Sequence, residues 1–342
     1  MIRAGIVGLG KMGLSHYAII NSHPDVQVLA VCDSSSYLLG VLKQRSPARF
    51  FYTDYRTMID EQKLDCVIVS TPTITHTEIA KFALERNIHV FVEKPFCLDM
   101  EDGRAVADLA RQRGLVNQVG YHNRFVGAFN EVKRLVDSFT IGDVYHFSAE
   151  AYGPVVLRTA SSTWRAKRSQ GGGCLSDYAS HIVNLVIYLF GVPSGVSGTI
   201  LKRVFSREVE DAVYSTMIYE DGRDGQLSVN WSDDAYRKMT SRITLWGTRG
   251  KIFADRQECR IYVRDAVKSN RLEKGWNVRN TTELTAPVDF YLRGEEYSAQ
   301  LWYFVRCIKE RQPENTNSFE SALHTDEVIA LLRQDGERRN LH

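Results

Sequence analysis

Ile2-Arg3-Ala4-Gly5-Ile6-Val7-Gly8-Leu9-Gly10-Lys11-Met12-Gly13 opens the chain, and its reading decides the fold. A short apolar run enters Gly-x-Gly-x-x-Gly directly and reads as a buried parallel strand. The residues after it, Met12, Leu14, Tyr17 and Ala18, follow a helical period. Each glycine has a physical task. Gly8 permits a tight turn, Gly10 lets the backbone approach a pyrophosphate, and Gly13 lets helix and strand pack closely; the phosphates then meet the unpaired N–H groups at the helix N-terminus. Such a motif alone is common, but here it sits between a strand and a helix. A second apolar run, Val26 to Cys32, ends in Asp33, 20 residues past Gly13. There a carboxylate would accept hydrogen bonds from the adenosine ribose diol; otherwise Asp33 would simply cap the next helix. Ser34-Ser35-Ser36 supplies no arginine for a 2′-phosphate, which favours NAD over NADP.

The first third of the chain repeats this strand–helix alternation. Strands are expected at 2–7, 26–32, 65–70, 89–92 and 116–119, and helices at 11–21, 34–45, 53–61, 75–86 and 100–113. Continuous apolar strands separated by helices specify a doubly wound parallel sheet covered on both faces. From Val144 onward period-two segments dominate, at 144–151, 198–204, 212–219, 225–231, 241–247, 250–254 and 260–263. One helix is expected among them (177–190) and two after them (299–310 and 319–333). Asp221-Gly222 and Gly247-Thr248-Arg249-Gly250 read as hairpin turns. The fold class is therefore α/β: an N-terminal dinucleotide-binding domain over 1–121, then an α+β domain over 122–342 with a large, mostly antiparallel sheet. Such a sheet has one face to cover, so a homodimer or homotetramer is expected.

Bulk properties exclude several classes of function. With 342 residues, 44% hydrophobic and 25% charged, the chain can fill two ordinary soluble cores. A net charge of +2 gives no footprint for nucleic acid or an anionic membrane. The six cysteines (Cys32, Cys66, Cys97, Cys174, Cys259 and Cys307) form no C-x-x-C pair and read as reduced thiols, which suggests the cytoplasm. No signal peptide or membrane-spanning run is legible, and the histidine spacing suits no metal.

Ligands of an open parallel sheet bind beyond the carboxyl ends of its strands. That rule selects Ser70-Thr71-Pro72-Thr73-Ile74-Thr75-His76, Glu93-Lys94-Pro95 and Gly120-Tyr121-His122-Asn123-Arg124-Phe125. A cis Lys94–Pro95 bond would turn the ammonium towards the cleft, where it could donate to a substrate hydroxyl. His76 either contacts the cofactor or caps its helix. A further cluster, Gly171-Gly172-Gly173-Cys174-Leu175-Ser176-Asp177-Tyr178-Ala179-Ser180-His181, frees the backbone for close approach and then opens a helix. Asp177, His181 and Asn184 fall on one helical stripe, with Ile182, Leu185, Val186 and Leu189 opposite. A histidine with a carboxylate one turn away suits a general base for a hydroxyl proton. Trp164-Arg165-Ala166-Lys167-Arg168 could pair a diphosphate or be a solvated loop. Arg124 could serve substrate or an internal salt bridge.

These five motifs, in this order, resemble the glucose–fructose oxidoreductase / inositol dehydrogenase family (Gfo/Idh/MocA) over nearly the whole chain. The resemblance implies an NAD(P)-dependent oxidoreductase acting on the secondary hydroxyl or ketone of a sugar, nucleotide-sugar or cyclitol. It implies Lys94, Asp177 and His181 as the catalytic set. NAD would lie across Gly8, Leu9, Gly10, Lys11, Met12, Gly13, Asp33, Ser34, Ser70, Thr71, Pro72, His76, Glu93 and Lys94. Substrate would meet Lys94, Tyr121, Asn123, Arg124, Trp164, Arg165, Asp177 and His181. Two departures bear on the substrate: Asn184 stands where the family often has Asp, and Tyr178 and Ala179 replace smaller residues. Related chains of this fold also include NAD-dependent glycoside hydrolases acting by transient oxidation, and non-catalytic dinucleotide-binding regulators.

Overall fold

The computed structural model describes residues 1–44, 47–158 and 164–339, without the side chains of Leu157, Arg158, Trp164 and Arg339. Two compact units emerge. Met1–His122 with Pro287–Leu323 forms the first, and Asn123–Ala286 with the C-terminal segment from His324 forms the second. The expected division into 1–121 and 122–342 thus differs for Pro287–Leu323, which packs with the first unit. The cause is a helix whose apolar face, Leu301, Phe304, Val305 and Cys307, joins the core of strands from the start of the chain.

The first unit is a parallel sheet of β1 (Ile2–Val7), β2 (Val26–Cys32), β3 (Phe50–Tyr52), β4 (Cys66–Val69), β5 (His89–Val92) and β6 (Asn117–Val119), in the order β3-β2-β1-β4-β5-β6. Between the strands run α1 (Lys11–Asn21), α2 (Ser36–Lys43), α3 (Tyr55–Glu61), α4 (His76–Leu84) and α5 (Met100–Gln112). Local chemistry sets their ends. Asp99 caps α5 by accepting the N–H groups of Glu101 and Asp102, and Gly114 follows the helix at φ 61°. β3, absent from the sequence expectation, has three residues and no buried side chain, too little for a period to register. The order reverses direction on either side of β1, which makes its carboxyl end the switch point of the sheet.

The second unit opens with α6 (Gly127–Asp137), a helix the sequence reading omitted, although Ala128, Phe129, Val132 and Leu135 give it a buried stripe. Its sheet contains β7 (Val144–Tyr152), β8 (Gly195–Lys202), β9 (Ala212–Ile218), β10 (Asp224–Asn230), β11 (Thr240–Gly247), β12 (Gly250–Ala254), β13 (Glu258–Val263) and β14 (Gly275–Asn280), with α7 (Ser180–Phe190) inserted before β8. The order is β14-β13-β12-β11-β7-β10-β9-β8, antiparallel throughout except for the parallel pair β7–β10. The two-residue turn Thr248-Arg249 closes β11 on β12 as expected, with Gly247 opposite Gly250. Glycine is required at both ends, since a Cβ would come within 2.2 Å of the Ile141 carbonyl and 2.3 Å of the Tyr262 carbonyl. β14 escaped notice because Gly-Trp-Asn-Val-Arg-Asn puts no buried residue on either face. One face of the sheet packs under α6 and α7. Besides four-residue helical turns at Val155–Arg158 and Thr281–Leu284, two long helices follow, α8 (Glu295–Glu310), which packs on α1, and α9 (Phe319–Arg339).

Candidate functional site

The dinucleotide half is built on β1, α1 and the strand ends beside them. Gly8 sits at φ 90°, and a Cβ there would lie 2.8 Å from the Ser70 carbonyl. A Cβ on Gly13 would lie 1.8 Å from the Gly8 carbonyl oxygen. These two glycines are demanded by the protein itself. Gly10 is not, because a Cβ there meets nothing within 4 Å. Gly10 is also the N-cap of α1 and offers no side-chain hydrogen bond, so the first N–H groups of the helix await an outside acceptor. Open space over a glycine at an uncapped helix start is what a pyrophosphate requires. Lys11 is exposed and Met12 half-buried on the same first turn.

Asp33 follows β2 and turns its carboxylate to the glycine loop. Oδ2 accepts the Leu9 N–H at 2.6 Å and Oδ1 the Ser35 N–H at 2.8 Å. Asp33 therefore faces the glycine turn, while Ser35, not Asp33, caps α2 by accepting the Leu38 N–H. Leu9 takes part only through its backbone, since its side chain is in the core. Ser34 is exposed. At the end of β4 the Ser70 hydroxyl is buried with no hydrogen-bond partner among the described residues, while Thr71 Oγ1 accepts from Thr75 and Pro72 is exposed. With the open glycine turn, this orphaned hydroxyl fits a bound dinucleotide.

His76 was expected to contact the cofactor or cap α4. It does not cap the helix: its ring is buried, with Nε2 2.9 Å from the Thr71 carbonyl and Nδ1 2.9 Å from the Pro95 carbonyl. A neutral ring donates to one of these carbonyls only, and it lies between the segments that follow β4 and β5. Burial lowers its pKa below the usual histidine value despite two carbonyl neighbours that favour the proton. Tyr121, expected at the substrate, is 1% exposed and belongs to the core of the first unit. The Lys94–Pro95 bond is cis, and Lys94 is half-buried beside Glu93, whose Oε2 accepts the Lys94 N–H at 3.2 Å.

The segment expected to carry the acid/base pair lies in the second unit. The segment expected as one α-helix over 177–190 is a π-helical turn at Leu175–Ala179 running into α7. One cause lies in the preceding loop. Glu210 accepts the Leu175 N–H through Oε1 at 3.1 Å, its own carbonyl accepts the Cys174 N–H at 2.9 Å, and a Cβ on Gly173 would strike the same carboxylate at 2.3 Å. These contacts hold the first turn of the segment, and π-bulges are frequent at functional sites. Asp177 and His181 are both buried, at 4% and 6% exposure. Asp177 Oδ2 accepts from Arg165 Nε at 3.0 Å, so two expected site residues meet. The Trp164 side chain lies outside the described residues.

The other expected substrate residues turn inward. Asn123 donates to the His181 carbonyl and to Ser241 Oγ, both at 3.3 Å. Arg124 Nε donates to Asn184 Oδ1 at 2.8 Å, and Asn184 Nδ2 donates to Thr325 Oγ1 at 3.0 Å. Arg124, expected to serve substrate or an internal salt bridge, anchors α7 through its hydrogen bond to Asn184. Sequence reasoning missed Glu210, which lies 35 residues beyond the Leu175 N–H it accepts, and His16, whose ring faces Glu93. Helical spacing from Gly13 to His16, which turns both towards the sheet, was the available signal for the latter.

All six cysteines are buried and free of disulfides. Burial pushes the Cys32 and Cys259 thiols up to about 12. Among the described residues no group of three or more His, Cys, Asp or Glu could hold a metal, and no helix is long and apolar enough to cross a membrane.

The pattern of an oxidoreductase family with an NAD-binding Rossmann fold matches residues 2–121, and that of the GFO/IDH/MocA C-terminal domain matches 129–253. A myo-inositol 2-dehydrogenase from Thermotoga maritima is 24% identical over 98% of this chain and 92% of its own. A D-glucoside 3-dehydrogenase from Escherichia coli is 27% identical over 65% and 68%. The solved structure of a levoglucosan dehydrogenase in complex with NADH superposes with a TM-score of 0.87 over 98% of this chain and 97% of that one, at 19% identity. From the glycine turn to the α+β sheet, the chain belongs to the Gfo/Idh/MocA family and is an NAD-binding oxidoreductase.

Proposed function

We propose that the chain is an NAD-dependent dehydrogenase that reversibly oxidises a secondary hydroxyl of a sugar, nucleotide-linked sugar or cyclitol, with Lys94, Asp177 and His181 as its catalytic set. The observation that carries this reading is the pair of buried ionisable side chains, Asp177 and His181, on one helical segment behind Gly171–Gly173. An imidazole titrating near neutrality can take the hydroxyl proton. The Asp177 carboxylate, held by Arg165, can orient that hydroxyl, and the Lys94 ammonium can stabilise the developing alkoxide. NAD, when bound, supplies the hydride acceptor. The inositol, glucoside and levoglucosan in the names of the relatives support the substrate class.

A second copy of the chain is the proposed cover for the open face of the second sheet. Trp246, Phe253, Tyr262 and Trp276 are interleaved there with Lys251 and Arg260, whose charges lie over Trp246 and Trp276 at 4.8 and 5.4 Å. Aromatic residues and arginine are the side chains enriched at such interfaces.

The test is absorbance of NADH in purified protein given NAD or NADP with a panel of inositols, free sugars and nucleotide-sugars, beside Lys94→Ala and His181→Ala. Reduction of NAD by one panel member, abolished in both variants, is the expected result. Turnover that survives His181→Ala would remove the assigned base. Protein that carries NAD but reduces it with no substrate would point instead to a hydrolase or a regulator.

A further inference from the structure

Phosphate binding by α1 does not require a histidine, yet His16 stands three residues past Gly13 and is fully buried. Its ring is edge-on to Phe91 of β5, centroids 5.2 Å apart, and Nε2 lies 2.6 Å from Glu93 Oε1. Against a carboxylate oxygen, Nε2 carries the proton and donates it. Nδ1 is buried with no hydrogen-bond partner among the described residues, so a proton there would be a donor without an acceptor. The pair is therefore read as the Nε2–H tautomer facing an ionised carboxylate, and its negative charge rests on Glu93. Burial pushes the Glu93 carboxyl up, but the His16 hydrogen bond and the neighbouring Lys94 outweigh it and hold the group below its ordinary range.

The surroundings fix this carboxylate. Oε2 accepts the Lys94 N–H, and Gly120 beyond β6 leaves just enough room, since a Cβ there would lie 3.1 Å from Oε1. Topology says which end of the cofactor it meets. Asp33 on β2 marks the adenosine side of the switch point, so the nicotinamide half runs towards the ends of β4 and β5. Glu93 stands at the end of β5.

We propose that His16 is a positioning residue for the nicotinamide half of the cofactor: through Nε2 it holds Glu93 in place, and that fixed negative charge makes the site favour oxidised NAD, with its cationic ring, over NADH. The inference rests on NAD binding by the first unit and needs no turnover, so it stands or falls separately from the dehydrogenase reading. In a half-buried site one charge acting on another within several ångströms changes an affinity by about tenfold or more.

The experiment is equilibrium binding of NAD and of NADH to the full chain, followed by tryptophan quenching, with thermal unfolding of each variant alongside. Glu93→Gln removes the charge, His16→Leu removes the donor, and His16→Gln keeps an N–H at nearly the same reach. The ratio of the two dissociation constants is expected to move about tenfold towards NADH in Glu93→Gln and His16→Leu, and to return close to native in His16→Gln. Equal weakening of both ligands in His16→Leu, or no weakening of either, would overturn the proposal, because a purely structural histidine cannot distinguish ring charge. Should His16→Leu not fold, Glu93→Gln against His16→Gln decides: a shifted ratio in the first alone supports the inference, and an unshifted ratio in Glu93→Gln overturns it.

Discussion

Gly10 and Gly13 lie three residues apart in one motif, yet they should fail in opposite ways when each is replaced by alanine. A Cβ at position 13 would sit 1.8 Å from the Gly8 carbonyl oxygen, where real Cβ contacts essentially never fall below 3.0 Å. Helix and turn must therefore separate by about 1.2 Å, which strains the Gly8 N–H bond to the Cys32 carbonyl and the Ser70 N–H bond to the Val7 carbonyl, both 2.8 Å. Overpacking of this kind and a weakened pair of hydrogen bonds together cost about 3 kcal/mol. For a chain of this size that lowers Tm by about 4 °C. Gly10 has φ −64° and ψ −174°, which alanine adopts without strain, and its Cβ meets no protein atom within 4 Å. Gly10→Ala should leave Tm within about 1–2 °C of native, because the less flexible unfolded chain offsets alanine's poorer fit at an N-cap. Its methyl group would occupy the approach to the α1 N–H groups, and losing one or two charge-assisted phosphate hydrogen bonds weakens NAD binding by about 30-fold or more. Differential scanning fluorimetry and titration calorimetry read the two quantities separately. Native affinity in Gly10→Ala would refute the placement of the pyrophosphate, and an unchanged Tm in Gly13→Ala would refute the steric reasoning.

Asp33→Ala removes the acceptor for the Leu9 and Ser35 N–H groups along with the carboxylate expected on the ribose; NAD affinity in calorimetry should drop by about 10- to 100-fold, with preference over NADP reduced. Glu210→Gln keeps an oxygen for the Leu175 N–H and should retain stability, whereas Glu210→Ala strands that donor at the π-turn and should cost about 1–3 kcal/mol in urea unfolding; equal behaviour of the two would deny Glu210 its supporting role. His89 accepts the Val116 N–H on Nδ1 at 2.9 Å, and burial lowers its pKa below the usual 6.5. The folded state then binds fewer protons than the unfolded state below pH 6.5, so this contribution is complete above that value and shrinks as pH falls towards the folded pKa. The urea midpoint should fall between pH 7.5 and 5.5, and His89→Asn, which keeps an acceptor, should flatten that fall; an identical slope in the variant would remove His89 as its source.

Much of the first unit was legible because its signals are local. β1, β2, β5 and α1 have the bounds their apolar periods imply, and Asp99 and Gly114 mark the ends of α5 as their residue types predict. Elements without a buried stripe or sufficient length escaped: β3 is too short, and β14 has alternating residues with none buried. α6 carried a readable stripe that the sequence reading passed over.

The sequence by itself determined the glycine turn, the register of Asp33 behind it, and the coincidence of Lys94, Asp177 and His181 with a family pattern, since each depends on spacing along a few residues. Tertiary structure decided the direction in which side chains point. Only the packed chain turns the His76 ring onto the Thr71 and Pro95 carbonyls, commits Arg124 to Asn184, and brings Glu210 under the turn at Leu175. It also places His16 against Glu93, 77 residues away. Spacing along a chain specifies which residues share a face of one element, whereas hydrogen bonds between elements follow from packing that buries polar atoms and obliges them to find partners.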